Sequence, residues 1–144
     1  MNLSPHFTLE ELTNSQTAVR QGIDNVPPPR ELQNLFRVAE ILEQVRDLAG
    51  KPISVSSGYR SPSLNKAVGG APDSAHVKGL AADINAYGMS ARDLALKIQA
   101  SGILYDQLIY EGTWVHIGLS DTSPRRESLT AHFGTKTTYS KGIQ

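Results

Sequence analysis

The four histidines of this chain are its main candidates for metal chemistry, because the sequence contains no cysteine. Without thiolates, a metal ion must be held by nitrogen and oxygen ligands. Two histidines and one carboxylate are the set that a catalytic zinc needs if a fourth position is to hold water. His76, Asp83 and His116 supply that set. Their spacing alone is a weak signal, because a lone loop histidine is usually solvated and a strand aspartate usually forms a surface ion pair.

Local patterns place the first two candidates on neighbouring elements. LAADIN at 80–85 predicts a strand, and its apolar face would consist of Leu80, Ala82 and Ile84. Asp83 therefore points away from the core. His76 lies in the loop before this strand, and Gly79 would let the chain turn between the two side chains.

The third candidate ligand comes from a separate hairpin. DQLIYEGTWVHIGL at 106–119 predicts two strands joined by a turn centred on Gly112. The core face of the second strand would hold Val115, Ile117 and Leu119. The side chain of His116, like that of Asp83, would then point away from the core. We expect His6, in a disorder-prone start, and His132, facing solvent, to take no part.

Helix signals precede these strands. Thr8 and Glu11 fit a capping box for a short helix, and a second short helix is predicted at about 15–20. The main amphipathic helix would begin at Pro29, and its apolar residues recur at helical spacing until Gly50. This helix is expected to pack on the core and to carry no chemistry of its own.

The remaining segments complete an α+β pattern. Ile53 and Val55 alternate as in a half-buried strand, SSGYRSPSLN starts a helix, and Ser90 starts another that stops at Gly102. An edge strand near SLTAHFG would precede a polar tail of low order. We predict an α+β fold in which a small antiparallel sheet is flanked by helices. One domain would cover 1–144, with a helical leader at about 1–50, a core carrying the candidate ligands at about 51–120, and a C-terminal strand and tail at about 121–144.

Charge and hydropathy exclude several function classes. Among 144 residues, 14 basic and 14 acidic side chains cancel, so a nucleic acid partner is not expected. No stretch approaches the roughly 20 apolar residues of a membrane span, and the N-terminus lacks the pattern of a secretory signal. We expect a monomer without membrane insertion, made in the cytoplasm without a signal peptide.

Three ordered motifs carry a resemblance to a known family. They are SGYRSPSLNKAVGG at 57–70, SAHVKGLAADIN at 74–85 and DQLIYEGTWVHIGL at 106–119. Together they resemble the M15 family of zinc D-Ala-D-Ala carboxypeptidases and related murein peptidases. The resemblance extends to HFTLEEL and AVRQGIDNVPPP, which are similar to the leader of small bacterial and phage members. It implies the α+β fold shared with the hedgehog signalling domain, whose sheet carries one zinc ion.

The resemblance implies a role for each matching position. His76 and Asp83 match the first two zinc ligands, and His116 of WVHIG matches the third. Arg60 of SGYRS matches a family arginine that meets the substrate carboxylate or the carbonyl oxygen near the scissile bond, and its fork of donors suits either task. Ser74 matches a small polar residue that binds substrate.

The general base is where this chain departs from part of the family. Several relatives place an acid three residues before the last zinc histidine, where this chain has Thr113. Glu111, five before His116, is the preferred substitute, and Asp106 lies five residues farther upstream. Trp114 replaces a histidine found in many relatives and is assigned to substrate binding.

The implied function is hydrolysis of an amide bond in the peptide stem or cross-link of bacterial peptidoglycan. The bond could be D-Ala-D-Ala, a cross-link to diaminopimelate, or L-Ala-D-Glu. A short chain without wall-binding repeats resembles a phage or prophage endolysin that acts in the cell wall or periplasm after release. A tail-associated or host murein enzyme is an alternative. A different class is a non-catalytic zinc-containing domain that binds cell-wall peptide or a protein partner.

Overall fold

The computed structural model describes residues 1–144 and contains five helices. They are α1 (Leu9–Thr13), α2 (Gln16–Gln21), α3 (Pro29–Ala49), α4 (Pro62–Ala67) and α5 (Ala91–Gln99). The predicted end signals are confirmed: the capping box of Thr8 and Glu11 is closed on both sides, and Gly50 ends α3 with a left-handed φ of 66°. None of these five helices combines the length and the apolar composition of a membrane span.

The strands form one small hairpin and one larger sheet. The hairpin pairs β1 (Asn2–Ser4) with β2 (Phe7–Thr8). The sheet contains β3 (Ile53–Ser57), β4 (Ala81–Ala86), β5 (Gln107–Tyr110), β6 (Val115–Gly118), β7 (Glu127–His132) and β8 (Thr138–Lys141). Its strand order is β3-β4-β6-β5-β7-β8. The candidate ligands on β4 and β6 therefore lie on adjacent strands.

The sheet is mixed, which corrects the prediction of an antiparallel sheet. Four of its strand pairs are antiparallel, but β5 and β7 are parallel, with Gln107 opposite Glu127. The cause is a crossover, because residues 119–126 leave β6, pass the start of β5 and begin β7 on its far side. The amide of Glu127 donates to the carbonyl of Asp106 at 2.9 Å and fixes the end of this crossover.

The C-terminal segment also differs from its prediction. The strand expected near SLTAHFG is β7, but it is internal, because β8 pairs along its outer side from Leu129 opposite Lys141 to His132 opposite Thr138. The expected tail of low order is therefore wrong. Ladder hydrogen bonds join backbone groups, so a polar segment can gain order without apolar side chains.

The N-terminal start is likewise more structured than predicted. His6 lies in the β1–β2 turn, and its Nδ1 is 2.7 Å from Oε1 of Glu43 on α3. His6 therefore takes part in fastening the N-terminus to the main helix. His6 is not among the residues whose potential ligand atoms cluster, which are His76, Asp83 and His116.

The two faces of the sheet have different surroundings. One face is covered by helices α3 and α5, and its fully or nearly fully buried residues include Ile84, Val115 and Ile117. Alternation puts Asp83 and His116 on the other face, where they are direct neighbours in the β4–β6 register. This confirms the face predicted for both residues.

Candidate metal centre and active site

His76, Asp83 and His116 converge on the face of the sheet that the helices leave open. Their potential ligand atoms all lie within 4.8 Å of one another. Oδ1 of Asp83 is 3.4 Å from Nε2 of His76 and 3.1 Å from Nδ1 of His116. A tetrahedral zinc ion with bonds of about 2.0–2.1 Å separates its ligand atoms by roughly 3.3 Å. Both distances to Asp83 therefore suit zinc.

The hydrogen bonding of His76 leaves one nitrogen free for a metal. Its side chain is only 3% exposed, and its Nδ1 is 2.7 Å from the carbonyl oxygen of Gly58. Because a carbonyl can only accept, Nδ1 carries a proton. Burial lowers the pKa of His76, so the ring is neutral at neutral pH and Nε2 presents a lone pair.

That lone pair faces an oxygen of Asp83, which is also an acceptor. Two acceptors opposed at 3.4 Å form no hydrogen bond with each other, whereas a cation between them would bind both. Burial opposes ionisation of Asp83, but the interactions of the carboxyl group with His116 and His76 together outweigh it and hold its pKa well below its usual range. An ionised carboxylate beside a neutral imidazole is a donor set that fits zinc.

The loop before β4 is shaped by its glycine. Gly79 has a φ of 69°, and a Cβ there would lie 2.6 Å from the carbonyl oxygen of Glu31. Only glycine fits this left-handed, closely packed position. The amide of Gly79 donates to the carbonyl of His76 at 3.2 Å, and the amide of Arg60 donates to the same oxygen at 3.1 Å. The turn expected between His76 and Asp83 is confirmed.

Glu111 lies at the end of the β5–β6 hairpin, where Gly112 turns the chain with a φ of 84°. Its Oε2 accepts a hydrogen bond of 2.9 Å from Nε1 of Trp114. Burial raises the pKa of Glu111, and the negative charge of Asp83 raises it further. A carboxyl group with a raised pKa is suited to proton transfer near neutral pH. Thr113, by contrast, is exposed.

One cavity of about 810 Å³ joins all the residues nominated from the sequence. Its walls include the three candidate ligands together with Arg60, Ser74, Glu111 and Trp114. Asp106 also lines this cavity, but its carboxylate binds Nε and Nη2 of Arg125 at 3.0 and 2.9 Å. Because this ion pair occupies Asp106, Glu111 is the stronger candidate for the base.

Arg60 is a cation without a protein partner. It appears in none of the ion pairs of the structure, and its buried Nε has no hydrogen-bond acceptor. Burial lowers the pKa of Arg60, although the charges of Asp83 and Glu111 oppose this effect. An arginine stays protonated under such conditions. Its unused donors on the cavity wall suit a carboxylate or a polarised carbonyl.

Ser74 has a local role that the sequence did not indicate. Its Oγ accepts a hydrogen bond of 3.2 Å from the amide of His76. The hydroxyl therefore helps to shape the loop that carries the histidine. Its own proton remains available for a bond to a molecule in the cavity.

Sequence reasoning missed the wall that the C-terminal part of the chain contributes. The crossover places Asp121, Thr122 and Arg125 on the cavity, and β8 places Tyr139 there. These residues carry no recognisable motif. The pairing of β5 with β7 brings the crossover to the site, and the pairing of β7 with β8 brings Tyr139.

An α+β domain that gathers two histidines and an aspartate beside Glu111, a carboxylate in no ion pair, has the parts of a metal-dependent hydrolase. A family model described as Peptidase M15 matches residues 5–118, and the chain belongs to this family. M15 peptidases are zinc-dependent, in agreement with the donor set. Comparison with curated proteins gives no match. All seven nominated residues lie within the matched range, whereas β7 and β8 lie beyond it.

Proposed function

We propose that this protein hydrolyses an amide bond in the peptide stem or cross-link of bacterial peptidoglycan, and that it serves as a phage or prophage endolysin. The substrate and the biological setting rest on the resemblance of its three motifs to murein peptidases. The observation that favours catalysis over binding is Glu111, whose pKa is raised in the cavity that the candidate ligands line. A binding domain needs metal ligands but no base.

His76, Asp83 and His116 would hold the zinc ion. Bound zinc supplies a Lewis acid that acidifies water and polarises a carbonyl group. Glu111 takes a proton from the attacking water as this water adds to the amide carbon. Glu111 then returns a proton to the leaving amine, so the C–N bond breaks with charge balanced.

Arg60 and Ser74 would orient the substrate. The unpaired guanidinium of Arg60 binds a substrate carboxylate or the oxygen that gains charge during attack. The hydroxyl of Ser74 donates to a backbone carbonyl of the substrate. Both groups line the cavity, on the side formed by the loops around α4.

The role of Glu111 is tested with Glu111→Gln, which keeps the size of the side chain and removes the proton acceptor. We expect hydrolysis of a stem peptide to fall about 10²–10⁴-fold, the usual contribution of a general base. Zinc content should remain stoichiometric. Activity is measured by release of new amino groups, and zinc by elemental analysis of the same sample.

Glu43→Gln is the matched control, because Glu43 is a partly buried carboxylate of α3 that binds Ser4 and His6. It should retain activity. Full activity of Glu111→Gln with zinc retained would remove Glu111 from the mechanism. A folded, zinc-loaded wild-type protein that binds stem peptide without cleaving it would favour the non-catalytic alternative.

The bond that is cut is identified by digestion of purified peptidoglycan and mass analysis of the fragments. A new amino end on D-Ala, diaminopimelate or D-Glu identifies each of the three candidate bonds. If the zinc-loaded protein releases fragments from other peptides but none from peptidoglycan, the proposed substrate is wrong.

A further inference from the structure

Trp114 connects the proposed base to the C-terminal strand pair. Its indole Nε1 donates to Oε2 of Glu111 at 2.9 Å. On its other side, the centroid of its indole ring lies 6.2 Å from the ring of Phe133, at an interplanar angle of 40°. Phe133 directly follows β7, outside residues 5–118 that the family model matches.

The hydrogen bond from Trp114 orients the side chain of Glu111, which the backbone of the turn does not. The turn backbone is closed by two hydrogen bonds of 3.0 Å, from the amide of Glu111 to the carbonyl of Trp114 and from the amide of Thr113 to the carbonyl of Glu111. These bonds fix the backbone but leave the carboxylate free to rotate. The indole proton holds one oxygen, and the other oxygen remains free to exchange a proton.

The parallel pairing of β5 and β7 explains why Phe133 reaches this turn. Tyr110, the last residue of β5, is opposite Thr130 of β7. Because the strands run in the same direction, the residues after Thr130 continue alongside the residues after Tyr110, which form the hairpin turn. Phe133 is thereby carried to the indole. Phe133 remains 59% exposed, and its ring pairs with the indole of Trp114.

We propose that Trp114 is a positioning residue for Glu111, and that Phe133, carried by the parallel strand β7, holds the indole in place. This inference rests on the proposed function in one respect only, namely that Glu111 is the base. It gives the C-terminal strand pair a part in the active site. Aromatic pairs of this kind prefer tilted or offset arrangements with centroids 4.5–7 Å apart, as observed.

The hydrogen bond can be tested without any activity. Trp114 is the only tryptophan, so a proton–nitrogen correlation spectrum of the zinc-loaded protein has a single indole N–H peak. Glu111→Ala removes the acceptor, and we expect the peak to move upfield in the proton dimension. Phe133→Ala should move or broaden the same peak. Phe36→Ala, which changes a partly exposed phenylalanine on α3, should leave it unchanged.

An indole peak that stays in place in Glu111→Ala would overturn the proposal, whatever the enzyme does. Conversely, if the peak moves as expected and no peptidase activity is found, the positioning contact stands and the proposed function fails. The two results are therefore separable.

Kinetics test whether positioning matters for the reaction. Trp114→Phe keeps an aromatic ring beside Phe133 and removes the donor, so we expect kcat to fall roughly tenfold or more with KM unchanged, as for loss of a hydrogen bond to a charged group. Zinc content and Tm should be unchanged. In a Glu111→Ala background, Trp114→Phe should cause no further loss, because the indole acts through Glu111.

A direct contact with substrate predicts a different pattern. Trp114→Phe would then raise KM, and the loss would persist in the Glu111→Ala background. That result would overturn the proposal. For the second contact, Phe133→Ala should lower kcat in the same direction as Trp114→Phe, and Phe133→Leu should restore most of it. Equal activities of Phe133→Ala and Phe36→Ala would remove Phe133 from the positioning role.

Discussion

The two nitrogens of His76 have separate tasks. Nδ1 donates to the carbonyl of Gly58, and Nε2 is directed at Asp83 with a lone pair. A backbone hydrogen bond on one nitrogen sets the tautomer and ring orientation needed for metal binding by the other. The arrangement explains how a neutral histidine that is only 3% exposed can still offer Nε2 to a metal ion.

At the residue scale, His116→Ala should abolish stoichiometric zinc binding, because it removes one of three ligands. His132→Ala is the matched control, since His132 is also a strand histidine but is exposed and bonds Oγ of Ser140 at 2.7 Å. It should bind zinc like the wild type. Zinc is measured by elemental analysis after dialysis, and equal zinc in both variants would contradict the assigned ligand set.

At the scale of elements, helix α1 packs against the backbone segment that orients His76. A Cβ on Gly58 would clash with the carbonyl oxygen of Leu12 in α1. The amide of the next residue, Tyr59, donates to that same oxygen at 2.8 Å. Glycine at position 58 therefore lets the helix approach the segment whose carbonyl orients His76.

Gly58→Ala should consequently disturb both stability and metal affinity. We expect a loss of about 1–3 kcal/mol in the free energy of unfolding, as for overpacking, and about 10–100-fold weaker zinc binding. Urea unfolding and competition with a chelator measure the two effects. Gly102→Ala is the control, because nothing lies within 4 Å of its Cβ position; comparable losses in that variant would show that the close approach is not the cause.

The crossover between β6 and β7 is held by the ion pair of Asp106 and Arg125. Hydrogen bonds from the Arg125 side chain hold the pKa of Asp106 below its usual range. The pair stabilises the fold at pH values above the unfolded pKa of about 3.9, and this contribution is lost as the pH falls through the lower folded pKa.

Asp106→Asn should therefore be less stable than the wild type near neutral pH, and the difference should shrink below about pH 4. Because Arg125 is 59% exposed, solvent screens the pair, and we expect a difference of under about 1 kcal/mol. Urea unfolding from acid to neutral pH measures it. Asp47→Asn, at an exposed position of α3 without an ion pair, should show no such pH dependence; a difference for Asp106→Asn that grows in acid would refute the assignment.

At the scale of the whole molecule, the candidate ligands tie separate parts of the chain together. His76 lies in the loop before β4, Asp83 on β4 and His116 on β6. A ligand that binds only the folded state stabilises it by mass action. Zinc binding is therefore coupled to the stability of the entire sheet.

Zinc at about 100 times its Kd should add about 2.7 kcal/mol of stability. For a chain of this size, roughly 3 °C per kcal/mol gives a rise in Tm of about 8 °C. Calorimetry with zinc, and then with excess chelator, measures the shift and its reversal. His116→Ala should show no shift, and an equal shift in that variant would place the stabilising zinc elsewhere.

Local rules were sufficient for the helix ends and for the sides on which the ligands lie. The capping box at Thr8 and the left-handed Gly50 depend on neighbouring residues only, so they are readable from the sequence. The alternation around Asp83 and His116 is equally local, because a strand has a side-chain period of two. The mutual approach of these residues was also predictable, since three motifs resemble one family.

The partners of the strands were decided only by the tertiary structure. Nothing near Glu127 indicates that β7 lies parallel to β5, because a strand offers the same backbone hydrogen bonds to a partner on either side and in either direction. The contact of Phe133 with Trp114 and the ion pair of Arg125 with Asp106 follow from that choice. The sequence by itself thus determined which groups can bind zinc and which face they occupy. The structure determined what surrounds them, because long-range pairing is selected by the packing of the whole sheet.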